Sequence, residues 1–154
     1  MRLHFSYGSN MDRAAMARRC PGATVLGRAV LNDHAFLIST DGYASVRPAS
    51  GEVVHGIVWR LAPRDLAALS AYESLASGLY SAAIMTVQCE GRSVKALVYI
   101  GRSRSAGKPK RGYMESIVAA ARDWRLPPDY IRRLSRWMPA GMGGTRELEP
   151  GDIA

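Results

Sequence analysis

The sequence predicts an α+β fold, a small and mostly antiparallel β-barrel flanked by helices. Alternating apolar residues, enriched in β-branched side chains, recur in short segments separated by turn-forming pairs. Strand patterns come in consecutive runs, and helical patterns flank these runs rather than alternating with single strands. With 154 residues and 47% hydrophobic content, the chain is long enough to bury one core without disulfides or metals. We therefore expect a single domain over residues 1–140.

Six strands are predicted in chain order, over 2–6, 23–31, 34–39, 53–61, 80–88 and 93–100. Turn signals lie between several of them, at Asp41-Gly42, Ser50-Gly51 and Glu90-Gly91, because these residue types adopt the backbone of tight turns. The segment around Glu90-Gly91 predicts a hairpin. Short connections of this kind favour antiparallel pairing and a closed or nearly closed barrel.

Helices are predicted near 12–19, 63–73, 113–124 and 128–138. Pro63 lies in the first turn of the second helix and Pro128 opens the fourth, since proline is tolerated where the helix has no partner for its amides. Pro139 and several glycines follow the fourth helix. Residues 141–154 are glycine-rich at their start, and we expect them to form a flexible C-terminal tail.

The net charge of +8 raises the question of nucleic-acid binding. The arginines are scattered, however, and the one dense basic stretch, 102–111, contains no aromatic residue for base stacking. Nucleic acid is therefore not the partner that the sequence favours. The stretch is either a solvated loop or a mobile flap over a pocket.

Other residue types argue against metals, cofactors and membranes. Cys20 and Cys89 match no zinc motif, and Cys20 is expected to pack in the interior. The three histidines lack metal-ligand spacing, and the three tryptophans are expected in the core. No apolar run approaches the roughly 18 residues that span a bilayer. We expect a soluble cytoplasmic protein without metal or cofactor.

The first candidate binding element joins the first strand to the first helix, and its residues are Tyr7, Gly8, Ser9, Asn10 and Met11. A strand that passes into a helix through a glycine directs unpaired amides and the positive end of a helix dipole at one point. Such a turn can hold a carboxylate. The alternative is an ordinary helix cap, since Asp12 follows directly.

The second candidate is Glu73, at the end of the second predicted helix. Leu66, Leu69 and Glu73 fall at positions i, i+3 and i+7, so the carboxylate shares the face that the leucines bury. Burial without a cation raises the pKa of a glutamate toward neutrality, which suits a residue that takes and returns a proton. The alternative is an exposed glutamate at a frayed helix end.

Together these residues resemble the γ-glutamylcyclotransferase family. The motif Tyr7-Gly8-Ser9-Asn10-Met11 is similar to the family's YGSN-type loop, and Tyr72-Glu73-Ser74 with Ser77-Gly78-Leu79-Tyr80 is similar to the context of its acid. The similar layout extends to about residue 138. The resemblance implies a barrel with a pocket at one mouth and no cofactor. It also implies that Glu73 is the catalytic acid–base residue and that residues 7–11, with Tyr113, bind substrate.

The activity that the resemblance implies is release of 5-oxoproline from a small γ-glutamyl amine or γ-glutamyl amino acid. The α-amine attacks the γ-carbonyl of the same molecule, while Glu73 transfers the proton. Amides of residues 8–10 hold either the developing oxyanion or the α-carboxylate. A non-catalytic domain that binds a small acidic ligand, or nucleic acid through its basic surface, is the alternative. The leaving amine and the oligomeric state are not specified by the sequence.

Overall fold

A computed structural model describes residues 2–72 and 78–139. Five strands close into a barrel in the order β1–β3–β2–β4–β5, and their bounds are β1 (Arg2–Ser6), β2 (Thr24–Ile38), β3 (Ala44–Leu61), β4 (Tyr80–Cys89) and β5 (Arg92–Gly101). Four of the pairings are antiparallel, and the β1–β5 pairing that closes the barrel is parallel. The predicted α+β fold with a mostly antiparallel barrel is confirmed.

The long β2–β3 hairpin corrects the predicted strand divisions. The segments 23–31 and 34–39 form one strand rather than two, and the segment 53–61 is only the second half of β3. The pairing shifts from Asn32–Val53 to His34–Pro48, with Asp33 at a φ of 58°. The Gly51 amide donates to the Asp33 carboxylate at 3.0 Å. Ser50-Gly51 is therefore part of a bulge inside β3, and the prediction of a turn between strands there is wrong.

Four helices flank the barrel: α1 (Arg13–Arg19), α2 (Pro63–Tyr72), α3 (Tyr113–Asp123) and α4 (Pro128–Ser135). All four were predicted, although α4 ends three residues earlier than expected, before a turn that includes Trp137. Glu73 and the expected tail over 141–154 lie outside the described residues. Across the helices that the structure describes, none has the length and apolar character of a membrane span.

Close packing fixes the end of β1, from which the candidate turn departs. A Cβ atom at Gly56 of β3 would lie 2.2 Å from the Ser6 carbonyl oxygen and 2.9 Å from the Phe5 ring, so only glycine fits there. The Trp59 indole donates to the Ser6 hydroxyl at 3.0 Å and packs edge-on against Trp124. The expected packing of the three tryptophans is confirmed, since Trp137 also contacts the core.

The basic stretch 102–111 is held against the turn of the β2–β3 hairpin. The Gly107 amide donates to the Ile38 carbonyl at 2.7 Å, and the Lys110 amide donates to the Gly42 carbonyl at 3.1 Å. The Lys110 ammonium lies 5.7 Å from the centre of the Tyr43 ring. Most residues of this stretch are exposed, so the structure favours a solvated, anchored loop over a mobile flap.

Candidate active site

The turn of residues 7–11 is a short 3-10 helix over Ser9–Met11, between β1 and α1. The Met11 amide donates to the Gly8 carbonyl, and the Asp12 amide donates to the Ser9 carbonyl, each at 3.1 Å. The side chains of Tyr7, Ser9, Asn10 and Met11 are all buried. The structure therefore places these predicted site residues together in the interior, at the end of β1.

Asp12 caps the N-terminus of α1. Its Oδ1 atom accepts from the amides of Ala14 at 2.8 Å and Ala15 at 3.2 Å. The negative charge that a helix N-terminus attracts is thus supplied by the chain itself. The capping alternative is confirmed for α1, and these two amides do not serve a ligand.

Arg19 supplies a positive charge to the turn from the other end of α1. Its Nη1 atom donates to the Asn10 carbonyl oxygen Oδ1 at 2.5 Å and lies 3.5 Å from the Ser9 hydroxyl. Arg19 as a whole residue is half-buried. Arg19 was not predicted as a site residue, because a basic residue in the last helical turn is commonly explained by the helix dipole alone.

A chain of contacts connects the turn to α2, the helix that directly precedes Glu73. The Tyr7 hydroxyl donates to the Tyr99 carbonyl at 2.5 Å. The Tyr99 hydroxyl in turn shares a hydrogen bond with the Ser70 hydroxyl of α2 at 3.2 Å. Tyr99 is fully buried in β5. Its role was missed because a tyrosine in an apolar strand is indistinguishable, by sequence pattern, from a core residue.

His4 packs against the same tyrosine. Its ring centre lies 5.4 Å from that of Tyr99 in an edge-to-face arrangement, and its Nδ1–H donates to the Leu97 carbonyl at 3.1 Å. Complete burial lowers the pKa of His4 to about 4, so the ring is neutral at pH 7. Within residues 2–72 and 78–139, no group of three His, Cys, Asp or Glu side chains is placed to hold a metal ion.

Tyr113 lies at the first position of α3, fully buried. Its hydroxyl accepts from the Ala44 amide at 3.0 Å, while the Tyr80 hydroxyl donates to the Ala44 carbonyl at 3.0 Å. The two tyrosines thus fix the start of β3 from both sides of one residue. At its other end α3 is fastened to the turn of residues 7–11, since the Trp124 indole donates to the Met11 carbonyl at 2.6 Å.

Asp65 fixes the position of α2. Its buried carboxylate accepts from the Gly22 and Ala62 amides, each at 3.3 Å, and a Cβ atom at Gly22 would lie 2.6 Å from it. The Cys20 thiol donates to the Asp65 carbonyl at 3.5 Å. Cys20 is buried in the core, which confirms the expected packing role, and this burial, with the Asp65 charge, raises the pKa of the thiol to about 11. Leu69 is buried and Leu66 half-buried, so this face of α2 points inward as predicted.

Comparisons with known proteins identify relatives across nearly the whole chain. The model of the AIG2-like family matches residues 53–134. The γ-glutamylcyclotransferases of Bos taurus, Mus musculus and Homo sapiens are each 26% identical to this chain over 162 residues. Each match covers 98% of this chain and 86% of the relative.

Solved structures share the fold. One named gamma-glutamyl cyclotransferase superposes with a TM-score of 0.85 at 23% identity, covering 95% of this chain and 94% of the other. The crystal structure of YkqA from Bacillus subtilis superposes with a TM-score of 0.78 at 26% identity, covering 93% of this chain and 56% of the other.

Proposed function

We propose that this protein releases 5-oxoproline from a γ-glutamyl amine or γ-glutamyl amino acid. The chain belongs to the AIG2-like family and is a γ-glutamylcyclotransferase-like enzyme. The curated relatives carry the name of this activity. The observation that carries the proposal is the contact chain from Tyr7 through Tyr99 to Ser70, which connects the turn of residues 7–11 to the helix that leads into Glu73.

The reaction needs one proton carrier. The α-amine of the γ-glutamyl group attacks its own γ-carbonyl carbon, and a five-membered ring forms. Glu73, as a carboxylate, accepts the proton that the amine loses. As a carboxylic acid it then delivers that proton to the departing amine nitrogen when the γ-amide bond breaks. The products are 5-oxoproline and a free amine or amino acid, and no water is consumed.

The turn of residues 7–11 is proposed to hold the γ-glutamyl group. Arg19, which contacts Ser9 and Asn10, makes the electrostatic potential at this turn more positive. This positive charge favours binding of the substrate α-carboxylate at the turn. The backbone amides of residues 8–10, which do not bond Asp12, then remain to stabilise the oxyanion. Tyr113, held by its bond to Ala44 at the start of α3, is proposed to border the bound substrate.

A substrate screen tests this proposal. The purified protein is incubated with γ-glutamyl amides and γ-glutamyl amino acids, and 5-oxoproline is measured. The matched control is the same compound with an acetylated α-amine, which removes the nucleophile and is expected to yield none. Binding of γ-glutamyl compounds without any 5-oxoproline release would contradict the proposal and support a domain that only binds a small acidic ligand. Retention on nucleic acid that falls steeply with salt would support the basic-surface alternative.

A further inference from the structure

A cavity of about 440 Å³ lies between α4 and the β2–β3 hairpin, and we call it the α4 groove. Arg133, Arg136 and Trp137 line it from α4 and the turn that follows, and Phe36, Arg47 and Glu52 line it from the hairpin. Its volume lies within the range of small-molecule sites. None of the residues assigned to the γ-glutamyl site lines it.

The groove carries excess positive charge. Arg47, Arg133 and Arg136 are exposed, and across the part of the chain that the structure describes none of them forms a salt bridge. Arg132, on the same helix but outside the groove, pairs with Asp129 instead. Burial is the larger cause that lowers the pKa of His55 beside the groove, and the charge of Arg133 lowers it further. Glu52 is the one acidic residue in the lining.

The groove also offers planar apolar surface. The rings of Phe36 and Trp137 meet edge-to-face at 6.3 Å, and the Arg133 guanidinium lies 5.6 Å from the centre of the Tyr130 ring. Guanidinium forks match phosphate oxygens in pairs, and both guanidinium planes and indole rings stack on flat heterocycles. We propose that the α4 groove binds a ligand that joins phosphate groups to a planar aromatic ring, which is the chemistry of a nucleoside diphosphate.

Each wall of the groove has a distinct role in this proposal. Arg133 and Arg136 on one side and Arg47 on the other bind the phosphates, and the Trp137 indole stacks on the ring. Glu52 accepts a hydrogen bond from an amine or hydroxyl of the ligand. Phe36 joins the groove to the candidate active site, since its ring also meets the Tyr7 ring edge-to-face at 6.4 Å. A ligand in the groove would therefore lie one ring away from the turn of residues 7–11.

Titration calorimetry with ADP, pyrophosphate and adenosine tests the proposal without reference to the reaction. We expect saturable binding of ADP, weaker binding of pyrophosphate and weakest binding of adenosine, because each fragment retains only part of the contacts. Binding of ADP should weaken as salt is added. Equal binding of ADP and pyrophosphate would contradict the role of the ring, and the lack of any saturable ADP binding would overturn the proposal.

Substitutions locate the site. Arg47→Gln and Arg133→Gln are each expected to weaken ADP binding by about tenfold, the usual effect of losing one charge-assisted hydrogen bond. Trp137→Leu should weaken ADP binding but leave pyrophosphate binding unchanged. The matched control is Arg122→Gln, which removes an exposed arginine of α3 that does not line the groove. Unchanged ADP binding in both arginine variants, or an equal loss in the Arg122→Gln control, would overturn the proposal.

Discussion

The candidate active site and the α4 groove use polar residues in opposite ways. In the candidate site the polar side chains are buried or half-buried and hydrogen-bonded within the protein, as in the contact of Arg19 with Asn10 at 2.5 Å. In the groove the arginines are exposed and form no salt bridge within the described residues. Buried side chains that are hydrogen-bonded hold a fixed geometry, which a reaction requires. Exposed charged side chains can change conformation to fit a ligand. Substitutions at the site should therefore affect stability and activity together, and substitutions in the groove should affect binding alone.

A large expected effect on both stability and activity separates two neighbouring arginines of α1. Arg19→Ala leaves the buried Asn10 carbonyl oxygen without its donor. We expect the free energy of unfolding to fall by about 2 kcal/mol and kcat/KM to fall by about 100-fold, because the turn loses its position. Arg18→Ala, at an exposed position, should change stability by less than about 0.5 kcal/mol. Urea unfolding and 5-oxoproline release measure the two effects. Equal effects of the two substitutions would contradict the specific role of Arg19 at the turn.

The dependence of the free energy of unfolding on pH tests the burial of His4, which packs against Tyr99. Burial lowers its pKa from 6.5 to about 4, so between these values the unfolded chain binds more protons than the folded protein. Stability from this residue is complete above pH 6.5 and is lost as the pH falls, by about 3 kcal/mol at pH 4. The measurement is the urea midpoint from pH 7 to pH 4. His4→Gln should reduce this dependence, and His55, whose pKa burial also lowers, should account for part of what remains.

The next effect concerns the attachment of α2. Asp65→Ala removes the acceptor for two amides, and we expect a loss of about 2 kcal/mol in the free energy of unfolding. Asp65→Asn retains one acceptor oxygen and should cost less. If α2 positions Glu73, Asp65→Asn should lower kcat more than it raises KM. Loss of stability with unchanged kcat in the folded fraction would limit Asp65 to a structural role.

The smallest expected effect completes the comparison. Arg136→Gln in the α4 groove removes an exposed arginine without a salt-bridge partner in the described chain, so the free energy of unfolding should change by less than about 0.5 kcal/mol. Thermal unfolding in the absence of ligand measures this. A loss as large as that of Arg19→Ala would mean that the groove arginines are part of the folded framework, and the contrast between the two regions would fail.

The sequence pattern predicted the elements that depend on local alternation of residues. It failed for features that are determined by contacts with residues distant in the chain. The barrel strands, the hairpin at Glu90-Gly91 and all four helices follow from local patterns. Ser50-Gly51 has the composition of a turn, and it becomes a bulge because Asp33 on the neighbouring strand bonds the Gly51 amide. The functional roles inferred for Arg19 and Tyr99 depend equally on tertiary contacts, with Asn10 and with Tyr7 and Ser70, that no local pattern encodes.

The assigned roles of residues 7–11 and Glu73 rest on local sequence pattern together with resemblance, and that of Tyr113 rests on resemblance alone. The structure places Tyr7, Ser9, Asn10 and Met11 together and joins α3, with Tyr113, to the same turn. Glu73 lies outside the described residues, so its role stays a prediction, as does the domain boundary at residue 140.

The most direct test of the central claim compares the wild-type protein with Glu73→Gln on a γ-glutamyl amide, with 5-oxoproline release and substrate binding measured in parallel. The amide side chain preserves the shape of the carboxylate and removes the base. We predict a fall in 5-oxoproline release of at least about 100-fold, with the unfolding midpoint and substrate binding unchanged. Release at the wild-type rate by the Glu73→Gln variant would contradict the assignment of Glu73 as the proton carrier.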